Sequence, residues 1–277
     1  MSLLNAILLG IIQGITEFLP ISSTAHLTIA GSLLGLINPD RPNEWTAFIA
    51  VIQIGTMAAV VIYFFKDLVG IVQGFFADGI RYVQSTENGL GRARMGWYII
   101  LGTLPVAVFG LSFKKIIEGN LTKSLSVIGT SFIVLALILW LAEIVGSRKK
   151  EMANMTWLDS LIIGIAQSFA LIPGSSRSGT TITAGLFLGI NRADAARFSF
   201  LLSIPAVFAS GMLELYEARH FMNDLGAVNV LISTLVSGIV GYASIALLLR
   251  YLKTHTTYVF IFYRIAVGSA LLFITLR

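Results

Sequence analysis

QGITEFLPISSTAH, residues 13–26, breaks the first apolar run of the chain with a carboxylate, a proline, the hydroxyls of Ser22, Ser23 and Thr24, and a histidine. Buried polar groups need partners, and ordinary membrane spans avoid them. This stretch therefore lies outside the hydrocarbon layer or lies within it to do chemistry. Composition decides which. Of 277 residues, 56% are hydrophobic and 12% charged, with a mean hydropathy of +0.85. A soluble domain carries about 25% charged residues. Apolar runs at 47–65, 97–113, 125–145, 198–216, 228–249 and 258–276 approach the ~20 residues that cross a bilayer. The expected fold is all-α and polytopic, a single membrane domain over 1–277. No alternating ten-residue pattern suggests a β-barrel.

The N-terminal MSLLNAILLG lacks a basic leader and a small-residue cleavage site, so a cleaved signal is not expected. Cysteine is absent, which excludes disulfides and cysteine-based metal sites. The net charge of +5 falls in membrane-flanking loops such as GSRKKEM (146–152). Positive-inside loops explain it, and nucleic-acid binding is not expected.

Sliding the sequence on itself by 154 residues lays GIIQGITEFLPISSTAHLTIAGSLLG (10–35) over GIAQSFALIPGSSRSGTTITAGLFLG (164–189) without a gap. Eight of the 26 positions agree, among them Gly10/Gly164, Gln13/Gln167, Ser22/Ser176, Gly31/Gly185 and Gly35/Gly189. Both copies read helix, proline, serine-rich loop, helix. Residues 158–172 make about 22 Å of helix, short of the ~30 Å core, before Pro173-Gly174 stops it. Each copy is expected to enter part-way and return, which is tolerated where protein or a watery cavity surrounds the loop. Three spans separate the copies, and an odd number reverses orientation. The reading is an inverted repeat, one half 1–150 and the other 151–277, with the two polar loops meeting from opposite faces. Loops on the N-terminal side hold six Lys and Arg (Arg41, Lys114, Lys115, Lys123, Arg219, Arg277), against eleven on the other side. The second side is therefore expected to be cytoplasmic and both termini outward.

The loops differ in character. PGSSRSGTT (173–181) places glycines, hydroxyls and Arg177 ahead of a helix expected to begin near Ser178. A helix N-terminus with free N–H groups binds anions, and Arg177, Ser176, Ser178 and Thr181 add donors suited to phosphate. At membrane depth an arginine needs an anion, and Glu17 is the resident alternative to a ligand. In the first loop, Gln13 and Glu17 share a helix face, next to Ser22, Ser23, Thr24 and His26. Glu17 can act as base, hold a divalent cation, or balance Arg177. His26 can be general acid, nucleophile, or a satisfied interior histidine. Together these groups suit phosphoryl transfer on a lipid with a phosphorylated head group. No HExxH, P-loop, GxSxG or dinucleotide motif occurs in a suitable place.

With both motifs in order in a long apolar frame, the chain resembles the bacterial undecaprenyl-diphosphate phosphatase (bacitracin-resistance protein) family. The family motifs are Glu-or-Gln, three residues, Glu, then a serine loop ending in histidine, and PGxSRSGxT. The family's functional positions fall on Gln13, Glu17, Ser22, Ser23 and His26, and on Ser176, Arg177, Ser178 and Thr181. Gln13 stands where glutamate is common, which weakens a metal role there, and Ala25 replaces a usual glycine.

The resemblance implies hydrolysis of undecaprenyl diphosphate to undecaprenyl phosphate and inorganic phosphate. That recycles the carrier lipid for peptidoglycan synthesis and counters bacitracin. It also implies residence in the bacterial inner membrane and a divalent cation, Mg2+ or Ca2+, bridging Glu17, with Gln13 beside it, to the diphosphate. Ser23 is the expected nucleophile, with Glu17 as base or metal ligand and His26 handling the proton; direct attack by His26 is the competing mechanism. A lipid flippase or transporter is the rival reading, since inverted repeats with broken helices mark that class. A structural scaffold would not need two polar loops at depth. The oligomeric state is left open, a homodimer included.

Overall fold

The computed structural model describes residues 1–38, 42–78, 91–113, 124–218 and 226–276. Loop cations Arg41, Arg81, Lys114, Lys115, Lys123, Arg219 and Arg277 lie outside the described residues. The described residues form eleven α-helices and no strands: α1 Leu3–Thr16, α2 Ser23–Leu33, α3 Pro42–Tyr63, α4 Phe65–Asp78, α5 Arg92–Ser112, α6 Leu125–Val145, α7 Trp157–Ser168, α8 Arg177–Phe187, α9 Arg192–Ala218, α10 Ala227–Leu252 and α11 Tyr258–Thr275. Six are long and apolar enough to cross a membrane, namely α3, α5, α6, α9, α10 and α11. All six expected spans are present. The span expected from 198 starts earlier, at Arg192, because Asn191 and Asp194 cap it reciprocally: Asp194 N–H donates to Asn191 Oδ1 at 2.9 Å, and Asn191 Nδ2 to Asp194 Oδ2 at 2.9 Å.

Helix α4 was not anticipated. At 14 residues it is about 21 Å long, too short to cross. One face, with Ile71 and Phe75, meets α5 at Gly96 and Trp97, the Phe75 and Trp97 rings being 5.0 Å apart. Its other face leaves Phe65, Val69, Val72 and Phe76 exposed at helical spacing.

The two broken segments are built alike. Ser22 (φ 71°) and Ser176 (φ 69°) each precede the second helix of their pair in the left-handed region, where a side chain costs ~1–3 kcal/mol. Both second helices end in the same left-handed cap. Gly35 (φ 63°) and Gly189 (φ 79°) turn the chain, and Leu36 and Ile190 return N–H bonds to the Gly31 and Gly185 carbonyls at 2.9 Å. The α7–α8 pair starts and finishes at one end of the bundle. Lys150, ahead of α7, donates its N–H to Gly189 O and accepts from Asn191 N–H, each at 2.9 Å.

The pairs are exchanged between the halves: α1 packs on α10, and α7 packs on α5. Ser233 on α10 donates to the Ala6 carbonyl at 2.8 Å, and Ser160 on α7 donates to the Tyr98 carbonyl at 2.5 Å. Ala6 and Ser160 are 154 residues apart. So are Gly10 and Gly164, the tightest glycine contacts where α1 meets α10 and α7 meets α5. A Cβ on Gly10 would lie 2.6 Å from Ser233 O, and one on Gly164 2.2 Å from Gly102 O. Small residues let membrane helices meet backbone to backbone, since lipid offers apolar side chains no reason to leave it. At one end of the bundle, Glu143 accepts from Arg148, Arg192 and the Thr257 hydroxyl, joining the ends of α6, α9 and α11. At the other, Asn229 of α10 donates to the Met1 carbonyl at 2.7 Å.

Gly10→Ala and Gly164→Ala are each expected to destabilise the protein by ~1–3 kcal/mol through overpacking. Gly110→Ala, where a Cβ meets nothing within 4 Å, should be neutral or slightly stabilising. Thermal unfolding in detergent checks this; equal midpoints for all three variants would contradict the exchanged packing.

Candidate active site

Glu17 sits at the C-terminal cap of α1, 8% exposed, one turn beyond Gln13. Its carboxylate is the meeting point of both loops. Oε2 accepts from Ser23 Oγ at 2.7 Å and from Gln13 Nε2 at 3.0 Å. Oε1 accepts from Arg177 Nη2 at 3.1 Å and from Gln53 Nε2 at 3.1 Å. The chain can do this because α1 stops at Thr16, the turn carries Pro20, and Ser22 restarts the helix with Ser23 as its first residue. Ser176 does the same for Arg177 at the start of α8, its hydroxyl accepting from Gly179 N–H at 3.2 Å. Two helix N-termini thus converge on one carboxylate. Each brings the partial positive charge of its helix dipole, an environment that favours an anion.

The expected residues divide into two groups. Gln13, Glu17, Ser23 and Arg177 come together directly. The Glu17–Arg177 pair, the resident alternative to a ligand, is present, and Ser23 shares the same carboxylate. Ser178 and Thr181 are fully buried with hydroxyls engaged. Ser178 donates to the Leu19 carbonyl of the first loop at 2.9 Å, and Thr181 donates to Arg177 O at 2.8 Å and meets Ser199 Oγ at 2.6 Å. Ser22 is also buried.

His26 is not hydrogen-bonded to Ser23. Its Nδ1 lies 2.7 Å from Ser22 O and its Nε2 2.6 Å from the hydroxyl of Tyr263. A carbonyl only accepts, so the bond network assigns the proton to Nδ1, and Nε2 of the neutral ring accepts from Tyr263. The rings stack at 5.6 Å. The serine's hydrogen-bond partner is therefore Glu17, and His26 faces α11.

Three residues of this site escaped the sequence reading: Gln53 on α3, and Tyr263 and Arg264 on α11. All lie inside runs read as plain spans. The available signal was their polarity, since a glutamine or arginine within a span marks a site unless a partner explains it.

Beside Glu17 and Arg177 lies a small, half-open pocket between α3 and α9. Thr56 and Ser203 line it with the ion pair, and Phe18, Met57, Val60 and Val207 supply apolar walls.

The donors do not make a cage for a divalent cation. Among the described residues no three of His, Asp and Glu gather. A carboxylate has about four acceptor positions, and four donors, one of them a cation, already occupy those of Glu17. Gln13 Oε1, buried without a partner, is a single spare ligand where Mg2+ or Ca2+ needs at least six oxygens.

Fold and site together define a class: a polytopic helical membrane protein in which two polar loops present a serine and an arginine to one buried carboxylate. A family model described as "Bacitracin resistance protein BacA" matches residues 6–270. The chain belongs to that family. It is 53% identical over 277 residues to a protein of Syntrophobacter fumaroxidans named undecaprenyl-diphosphatase, covering 100% of this chain and 99% of that relative. Proteins of the same name in Chlorobium phaeobacteroides (53% identical, 98% of this chain and 96% of the relative) and Prosthecochloris aestuarii (52%, with the same coverage) are similar throughout.

Glu17 and Arg177 are both largely buried, with side chains 6% and 14% exposed. Removing one partner of such a pair leaves an uncompensated charge, so Glu17→Gln and Arg177→Gln should each cost ~3 kcal/mol of stability. The double variant should cost clearly less than the sum. A thermodynamic cycle from unfolding midpoints checks this, and additive losses would show that the pair is not coupled.

Proposed function

We propose that the protein hydrolyses undecaprenyl diphosphate to undecaprenyl phosphate and inorganic phosphate, recycling the carrier lipid for peptidoglycan synthesis and conferring bacitracin resistance. The observation that carries this reading is the 2.7 Å bond from Ser23 to Glu17, with Arg177 on the same carboxylate. A serine hydroxyl is a weak nucleophile until a base takes its proton, and here the base is in place. Ser23 Oγ attacks the terminal phosphorus as its proton passes to Glu17, and the lipid monophosphate leaves. Arg177 exchanges its bond to Glu17 for the phosphoryl oxygens, whose negative charge the α2 and α8 N-termini also favour. Water then releases phosphate from the serine, Glu17 returning the proton to Ser23 Oγ and His26 carrying the proton of the water. Ser22 and Ser176 offer further donors, while Ser178 and Thr181 hold the second loop.

The lipid head group comes to a site within the bilayer because the two helix pairs are re-entrant halves of an inverted repeat, 1–150 and 151–277. The matched caps and the exchanged packing of α1 and α7 support this. The protein lies in the inner membrane with both termini outward, and the family's divalent cation arrives as the counter-ion of the diphosphate. A homodimer is compatible with this arrangement. A pure carrier would leave the Ser23–Glu17 bond without a role.

Phosphate release from a prenyl diphosphate by the purified protein tests the proposal. Arg177→Ala should slow it by a few hundred-fold, the loss of ~3–4 kcal/mol of transition-state stabilisation, and Arg177→Lys should recover only part. Ser23→Ala should be inactive, and stopped reactions should yield an acid-stable phosphoserine. Turnover persisting in Ser23→Ala would assign the attack to His26 or to water.

For orientation, cysteine at Val228, exposed at the start of α10, should react with an impermeant thiol reagent outside intact cells, and cysteine at Lys149 should not. The native chain has no cysteine to add background. The opposite labelling would reverse the orientation and leave the repeat untouched.

A further inference from the structure

Arg264 on α11 is 1% exposed, the largest fully buried side chain among the described residues. No carboxylate pairs with it among those residues. Each of its five N–H groups meets a backbone carbonyl instead. Nε donates to Phe132 O (3.3 Å), Nη1 to Pro20 O (3.0 Å) and Ser175 O (3.2 Å), and Nη2 to Ser131 O (3.3 Å) and Gly174 O (3.0 Å). The guanidinium carbon lies 4.9 Å from the centre of the Phe132 ring.

The identity of those carbonyls gives the arginine its role. Pro20 belongs to the first polar loop, Gly174 and Ser175 to the second, and Ser131 and Phe132 to α6. Irregular backbone in a bilayer leaves carbonyls that need donors, and here one planar fork supplies them to both loops at once. Pro20 lies three residues before Ser23, and Ser175 two before Arg177. The geometry points to Arg264 as a positioning residue: a clamp that fixes the register of the two loops so that Ser23 and Arg177 meet on Glu17. Lysine cannot replace it, because an ammonium has three donors and no fork. Arg264 has no free donor for substrate, so it acts only through the loops.

This rests on the hydrolase reading for its kinetic consequence and on the fold alone for its structural one, so two readouts test it. A reacting group misplaced by ~1 Å loses about 100-fold in rate, so Arg264→Lys should lower kcat by about that factor with KM little changed. Combined with Arg177→Lys, the loss should fall short of the product of the single effects, because both act on one alignment. Hydrogen exchange should rise in residues 17–24 and 173–179 together, while α3 and α9 stay protected. A merely structural arginine would instead loosen the spans and the loops alike. Retained kcat, multiplicative losses, or exchange spread evenly over the bundle would each overturn the clamp. If the wild-type protein released no phosphate, the hydrolase reading would fall, and the exchange pattern would still decide the clamp. Should Arg264→Lys fail to accumulate, Phe132→Leu removes the ring beneath the guanidinium and keeps every carbonyl. It should cost about tenfold in kcat with the same local exchange, and unchanged values there would overturn the proposal.

Discussion

The hydrogen bonds that converge on Glu17 are the constraint around which the protein is arranged. A carboxylate in the interior of an apolar bundle is expensive unless its acceptor positions are filled. Here they are filled from three directions: Gln13 and Ser23 from the first helix pair, Arg177 from the second, and Gln53 from a full span. Each donor has a second use. Ser23 is held with its hydroxyl against the carboxylate, Arg177 is held at a helix N-terminus beside the pocket, and Gln53 ties α3 to the same point. Desolvation cost is thereby offset by the same bonds that bring the two loops together.

That arrangement requires two breaks in helical structure at depth, and the breaks have to be stabilised. Ser22 and Ser176 occupy the same strained backbone conformation, and Gly35 and Gly189 close the following helices in the same way. Freed carbonyls are met by Ser178 and by the fork of Arg264. Glycines at Gly10 and Gly164 let each broken pair lie against a span of the other half, so neither half holds its own polar loop in place. The arrangement around Glu17 is a property of both halves together.

The fold was largely legible from residue order. Hydropathy alone placed six spans, because a bilayer leaves a segment only the choice of ~20 apolar residues or a partner for every polar group. Self-similarity at a spacing of 154 aligned the two broken helices, and their composition separated a loop carrying a carboxylate and a histidine from one carrying an arginine. What was missed follows a rule. Helix α4 is short and amphipathic and carries no span signal, while Gln53, Tyr263 and Arg264 sit in runs whose mean hydropathy hides single polar residues.

The sequence by itself determined the class of protein, the position of its spans and the residue types at its two loops, since those depend on local composition and on solvation by lipid. Only the tertiary structure decided who meets whom. It gave Ser23 to Glu17 and turned His26 toward Tyr263. It set Ser178 and Thr181 to holding the loop, and it brought a buried arginine from the last helix to both loops at once. These are contacts between residues up to 244 positions apart. Their geometry is set by how helices pack and where backbone carbonyls are left unpaired, which no stretch of sequence records.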